Sequence, residues 1–215
     1  MAIQLSQTDF VQLFSKALTE SDYTVHPKYS VFTQYDGPGY YEPARAAFEH
    51  KYRIFSAITR VLQPECIIEL GTHAGFGAHA YLHGAPKAKY IGYDIFNSGQ
   101  ISSYDGKPWQ PFEVATNLLT EINASFSLVK GDLRNIQELP LSDFVVVDAA
   151  HDFTNAYLDC LLAHTAKPQY IWVDDYSGHD VAIAVGEAAA KSGNYEWWHR
   201  IEYINAGLII KMKQN

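Results

Sequence analysis

The stretch Cys66-Ile67-Ile68-Glu69-Leu70-Gly71-Thr72-His73-Ala74-Gly75-Phe76-Gly77 constrains this chain more than any other. An apolar run that ends in an acid and then breaks into glycines reads as a buried strand feeding a tight turn. Glycine suits such a turn because it takes positive φ freely and leaves room for bare backbone to approach a ligand. A dinucleotide fingerprint spaces its glycines as Gly-x-Gly-x-x-Gly, so that a helix amino end faces a pyrophosphate. Here the spacing is Gly71-x-x-x-Gly75-x-Gly77, with Glu69 in front. An acid at the turn repels a pyrophosphate and attracts a cationic group.

The rest of the chain alternates helix and strand patterns around this unit. Residues 6–20 place Phe10, Leu13, Phe14 and Leu18 at helical spacing behind Ser6 and Thr8, a short amphipathic helix with a cap. Residues 23–41 dissolve into Tyr23, Tyr29, Tyr35, Tyr40 and Tyr41 with prolines and glycines, a loop expected to overhang the site or to cement the arm. Residues 43–62 return to helical spacing, with Ala47, Phe48, Tyr52, Phe55, Ile58 and Leu62 on one side and Lys51 elsewhere. After the glycine turn come a helix to Gly84 and a strand at 89–94, a strand-helix-strand unit and hence parallel strands. Residues 97–112, with Tyr104 and Trp109, form a long aperiodic insertion of the kind that carries function or moves. Further strands are expected at 126–129, 144–148 and 169–173, with helices at 112–123, 155–163 and 181–191. Strands at 197–204 and 208–212, joined by Asn205-Ala206-Gly207, close the chain as an antiparallel pair.

Acids stand at the carboxyl ends of five strands: Glu69, Asp94, Asp132, Asp148 and the pair Asp174-Asp175. Open parallel sheets bind ligands at that edge. Asp94 is placed to accept both hydroxyls of a ribose, and Asp132 an adenine amino group. Asp148, Asp174 and Asp175 supply three carboxylates from adjacent strand ends, a set that suits a hard divalent cation such as Mg²⁺. His151 lies three residues past Asp148, within reach of a substrate hydroxyl.

With the motif Glu-x-Gly-x-x-x-Gly, residues 45–215 resemble the class I S-adenosylmethionine (SAM)-dependent methyltransferases. The resemblance implies a Rossmann-like, doubly wound α/β fold: a seven-stranded sheet, mostly parallel, with a C-terminal antiparallel strand. An N-terminal helical arm or lid (1–43) would precede the methyltransferase domain (44–215). Glu69, Gly71 and Gly75 match the methionine-binding turn, Asp94 the ribose acid and Asp132 the adenine-side acid; Thr72, Ile95 and Asp148 complete the implied cofactor set. The acids and His151 look like those of metal-dependent O-methyltransferases, most closely the branch acting on sugar hydroxyls of natural products. That branch implies a metal on Asp148, Asp174 and Asp175, with His151 removing the acceptor proton. The sequence departs from the branch at Ala149, where Asp-Gly-x-His is usual; a left-handed backbone there would strain an alanine. A non-catalytic module that keeps the nucleoside pocket stays open as an alternative, and Glu69 disfavours a nicotinamide oxidoreductase.

Composition narrows the partners. A formal charge of -8 argues against nucleic acid, whose phosphates need a surplus of lysine and arginine, and fits a metal cation or a neutral substrate better; the small hydroxylated acceptor is what the resemblance implies. Cys66 and Cys160 sit in apolar surroundings without pairing or ligand spacing, so buried reduced thiols and a cytoplasmic setting are expected. The start lacks a signal-peptide pattern, and no apolar run approaches the roughly 20 residues of a membrane span. A homo-oligomer stays open. Of the other histidines, His179 is expected as a substrate contact. His79 and His83 stand at i, i+4 without a third metal ligand, and His73 and His164 carry weaker signals.

Overall fold

A computed structural model describes residues 3–25, 38–96, 110–203 and 205–213, with backbone alone at 38–45. The expected contributions of Tyr29, Tyr35, Tyr40, Tyr41, Tyr104 and Trp109 lie outside the described residues or side chains.

Seven strands form one sheet: β1 (Cys66–Leu70), β2 (Lys89–Asp94), β3 (Ser125–Lys130), β4 (Phe144–Val147), β5 (Tyr170–Val173), β6 (Tyr195–Ile201) and β7 (Gly207–Met212). Their spatial order is β3-β2-β1-β4-β5-β7-β6. β1 pairs in parallel with β2 and β4, β2 with β3, and β4 with β5, whereas β7 runs antiparallel to both β5 and β6. A dinucleotide sheet ends 4-5-6; here a reversed strand is inserted before the last. The order turns back between β1 and β4, so a crevice opens outside their carboxyl ends.

Among the described residues six α-helices cover the faces: α1 (Gln7–Thr19), α2 (Pro38–Leu62), α3 (Phe76–Gly84), α4 (Pro111–Glu121), α5 (Phe153–Thr165) and α6 (His179–Ser192). Successive strand residues point to opposite faces. Ile67, Tyr90, Phe144, Val146 and Trp172 therefore join the core beneath α1, α2 and α3, while Ile68, Leu70, Val145, Val147 and Val173 join the core beneath α5 and α6. Burial on both sides explains why β4 and β5 read as unbroken apolar runs.

Four local expectations change. α2 begins at Pro38, five residues earlier than the apolar spacing indicates, because proline's fixed φ suits a helix's first turn. Leu13 is 45% exposed, and Ala17 packs inward instead, beside Phe10 and Phe14. Lys51, expected away from the packed side of α2, is buried. Both cysteines are free, but only Cys160 is fully buried; Cys66 is half-buried. Among the described residues no helix is long and apolar enough to cross a membrane.

Candidate functional site

The crevice is a cavity of about 770 Å³ lined by Glu69, Gly71, Thr72, Asp94, Asp132, Asp148 and His151, among others. That volume lies within the ordinary range for small-molecule sites. Ile95 also lines it, with 55% of its surface exposed. The acids of four separate strand ends are thus brought to one wall.

Gly71 and Gly75 have φ of +96° and +80°, as a turn of this kind requires. What crowds Gly71 is the protein itself: a Cβ there would stand 2.0 Å from the backbone oxygen of Asp148. Gly71 fixes the approach of the β1 and β4 loops, and its N–H donates to the Tyr93 carbonyl at 2.8 Å. At Gly77 a Cβ would stand 2.5 Å from Glu69 Oε1, so this glycine makes room for the acid.

Glu69 is 1% exposed and accepts from the Tyr90 hydroxyl, which in turn meets the Thr72 hydroxyl at 3.0 Å. Burial pushes the Glu69 carboxyl up to about 8, opposed by the Tyr90 hydrogen bond. Asp94 accepts from the N–H of His73 at 2.7 Å and of Phe96 at 2.5 Å, one on each oxygen, which fixes its carboxylate at the mouth of the turn. Asp132 caps a short 3₁₀ turn (Leu133–Asn135) by accepting from the Arg134 N–H at 2.8 Å.

Beyond β4 and β5 the acids divide. One ligand atom each from Asp148, His151 and Asp175 lies within 4.8 Å of the others. His151 Nε2 stands 2.6 Å from Asp175 Oδ2, and Asn205 donates to Asp175 Oδ1 at 2.7 Å. Asp152 accepts from the Asn155 N–H and starts α5 immediately after His151. Ala149 is not among the residues with left-handed backbone, so the alanine carries no such strain; Asp175 takes that conformation instead, at φ +52°. Aspartate tolerates it better than most side chains.

Asp174 faces elsewhere. Its side chain is wholly buried, ion-paired with Lys51, and accepts from the Tyr203 hydroxyl. The Lys51 ammonium also lies 4.0 Å from Asp148 Oδ2. Burial works to strip Lys51 of its proton, but Asp148 and Asp174 outweigh it and hold the amine charged well above its ordinary range. Asp148 keeps 22% of its side chain exposed, yet that surface opens into a walled cavity. Desolvation and then Asp174 push its carboxyl well above the usual range. The hydrogen bond to Asp175 raises His151, and burial opposes it.

Lys51, Tyr90, Tyr203 and Asn205 are site residues that the motif reading misses. Lys51 had a signal: it shares a helical stripe with Phe55, Ile58 and Leu62, three residues buried in α2. His79 and His83 are packing residues, bonded through Nδ1 to Tyr23 at 2.8 Å and to Ser56 at 2.9 Å. His179 opens α6 in an exposed position and does not line the cavity.

The donor sets fit the expected groups. Oxygen donors and one imidazole gathered within 4.8 Å suit a hard divalent cation. A cavity walled by Glu69, Asp94 and Asp132 suits a ligand with a cationic end and sugar hydroxyls.

No protein-family model and no curated protein matches the chain. Solved structures do. An O-methyltransferase from Streptomyces achromogenes involved in tomaymycin synthesis, TomG, in complex with SAM, has a TM-score of 0.59 at 12% identity, covering 98% of this chain and 100% of that one. The methyltransferase PaMTH1 of Podospora anserina, bound to S-adenosylhomocysteine (SAH), gives 0.58 at 11% identity, covering 100% of both chains. An O-methyltransferase from Bacillus cereus in complex with SAH gives 0.55 at 13%, covering 98% and 93%. At these identities the likeness is one of fold, and the chain has the fold of the class I SAM-dependent methyltransferases.

Proposed function

We propose that the protein transfers a methyl group from SAM to a hydroxyl of a small molecule of sugar or polyketide type, with a divalent cation assisting deprotonation. The observation that carries the reading is the meeting of Asp148, His151 and Asp175, the first two of which line the same cavity as Glu69.

Glu69 would hold the ammonium of the methionyl group, and Asp94 the ribose hydroxyls. Asp148 and Asp175 would hold the cation. His151 acts as the base: with Nε2 on Asp175, Nδ1 is left to take the acceptor's proton, and Asp175 stabilises the imidazolium that forms. Transfer would join the acceptor oxygen to the methyl carbon as the carbon–sulfur bond of SAM breaks. When bound, the cation lowers the acceptor hydroxyl's pKa and SAM supplies an electrophilic methyl group.

The test has two stages. Calorimetry should show SAH binding to the purified chain. Labelled SAM should then methylate members of a panel of vicinal diols and glycosides with Mg²⁺, and not with a chelator. SAH binding without transfer to any acceptor would favour the non-catalytic module, and absence of SAH binding would sink both readings.

A further inference from the structure

A positive charge is already built into the acidic site. Lys51, buried on α2, reaches across the cavity floor to the ends of β4 and β5. Its ammonium pairs with Asp174 Oδ2, and the Tyr203 hydroxyl occupies Asp174 Oδ1. Asp174 thus faces Lys51 and Tyr203, and it is not in the group whose ligand atoms converge. Its neighbour Asp175 turns through a left-handed backbone to join Asp148 and His151. Two acids adjacent in sequence therefore do different jobs, and Lys51 divides them.

We propose that Lys51 is a positioning residue that keeps the divalent-cation site weak. It withholds Asp174 from the cluster and sets a fixed positive charge 4.0 Å from Asp148 Oδ2. A divalent cation and an ammonium that share one carboxylate each reduce the other's attraction to it. With His151 kept as the base, Asp148 and Asp175 are the carboxylates left to the cation among the described residues, about a third of the six ligands that Mg²⁺ takes. The acceptor's own oxygens would complete the sphere, so the metal is held firmly only when an acceptor arrives. This inference rests on the metal-assisted reading above.

The experiment measures Mn²⁺ affinity of the full chain, by calorimetry or by the free-ion spin-resonance signal, with no acceptor present. Lys51→Met should bind Mn²⁺ tighter than the wild type by on the order of tenfold or more, since a repelling charge is lost and Asp174 is released. Lys51→Arg keeps the charge and should stay near wild type. A merely structural role would weaken metal binding in Lys51→Met, so a gain is diagnostic. Because Lys51→Met leaves a buried acid without its counter-ion, Lys51→Met with Asp174→Asn provides a second comparison. That pair should still bind Mn²⁺ tighter than Asp174→Asn alone. Equal or weaker binding in Lys51→Met than in the wild type, and in the double variant than in Asp174→Asn alone, with the wild type binding Mn²⁺, overturns this inference and leaves the metal reading standing. No Mn²⁺ binding in the wild type or any variant removes the metal reading as well.

Discussion

Glu69 ties the cofactor proposal to a measurable proton. With its carboxyl raised to about 8, the free protein carries it largely protonated at neutral pH. An arriving ammonium favours the ionised form, so binding releases a proton. SAH affinity should therefore rise between pH 6 and pH 8, with buffer-dependent calorimetric heats reporting the release; Glu69→Gln should flatten both. For stability, a folded-state pKa raised above the ordinary 4.5 means the contribution is fully present below pH 4.5 and is lost as pH rises toward 8. Without ligand, the melting temperature of Glu69→Gln should fall less than wild type across that window. His151 carries a second pH signature. In the metal-free protein Asp175 raises the histidine's pKa, so the imidazole resonances should titrate above the ordinary 6.5 by NMR. Asp175→Asn should move that titration down. His151→Ala should cut turnover by about 10²–10⁴-fold, with SAH affinity retained. The identity of both residues was legible in the sequence because strand-end acids and a histidine three residues on leave a local pattern. Their partners were not, because Tyr90, Tyr203 and Lys51 reach the site from other elements, and no local spacing encodes a contact across the sheet.

Between elements, glycines decide how closely helices pack. At Gly84, the end of α3, a Cβ would stand 2.1 Å from the Ser56 carbonyl oxygen and 2.3 Å from Thr59 Oγ1, so α2 would have to move. Gly84→Ala should cost about 1–3 kcal/mol in denaturant unfolding. Gly186, inside α6, has open space where a Cβ would go, so Gly186→Ala should stabilise by about 0.5–1 kcal/mol. A matching sign for the two substitutions would contradict this packing. The strands were the most legible elements: β4 and β5 are apolar throughout because both faces are covered, and each stops at an acid. Helix faces were less so. Leu13 fits α1's apolar stripe yet points to water, and Lys51 fits α2's stripe yet looks like a surface charge. Hydrophobicity orders side chains by transfer cost, and a lysine that finds two carboxylates escapes that ordering. The antiparallel β6–β7 pair was read from its short connection, but the insertion of β7 between β5 and β6 depends on sheet-wide pairing.

The beginning and end of the chain close over the same flank of the sheet, and this reaches back to the site. The Leu5 carbonyl accepts from Trp197 Nε1 at 3.2 Å and from the buried Lys211 ammonium at 3.0 Å, and the Ile3 carbonyl accepts from the Tyr170 hydroxyl at 3.1 Å. Phe10 of α1, with no exposed surface, lies 5.8 Å from the Phe14 ring and 5.5 Å from that of Trp197, in one cluster with Trp172 and Ile209. The same flank carries the β6–β7 connection, whose Tyr203 and Asn205 hold Asp174 and Asp175. If α1 is part of this cooperative core, truncating its central ring removes buried area that nothing else can refill. Phe10→Ala should then cost about 3–5 kcal/mol, lowering one thermal transition with its steepness retained. SAH should still raise the melting temperature of the variant, because the ring lies away from the cavity wall formed by Glu69 and Asp94. A two-step melt, in which α1 leaves first and the remainder melts at the wild-type temperature, would instead mark the arm as an independently mobile piece. Trp197, packed on Phe10 and on Tyr170 at 6.0 Å, reports the choice directly, since its fluorescence would change in the first step of such a melt.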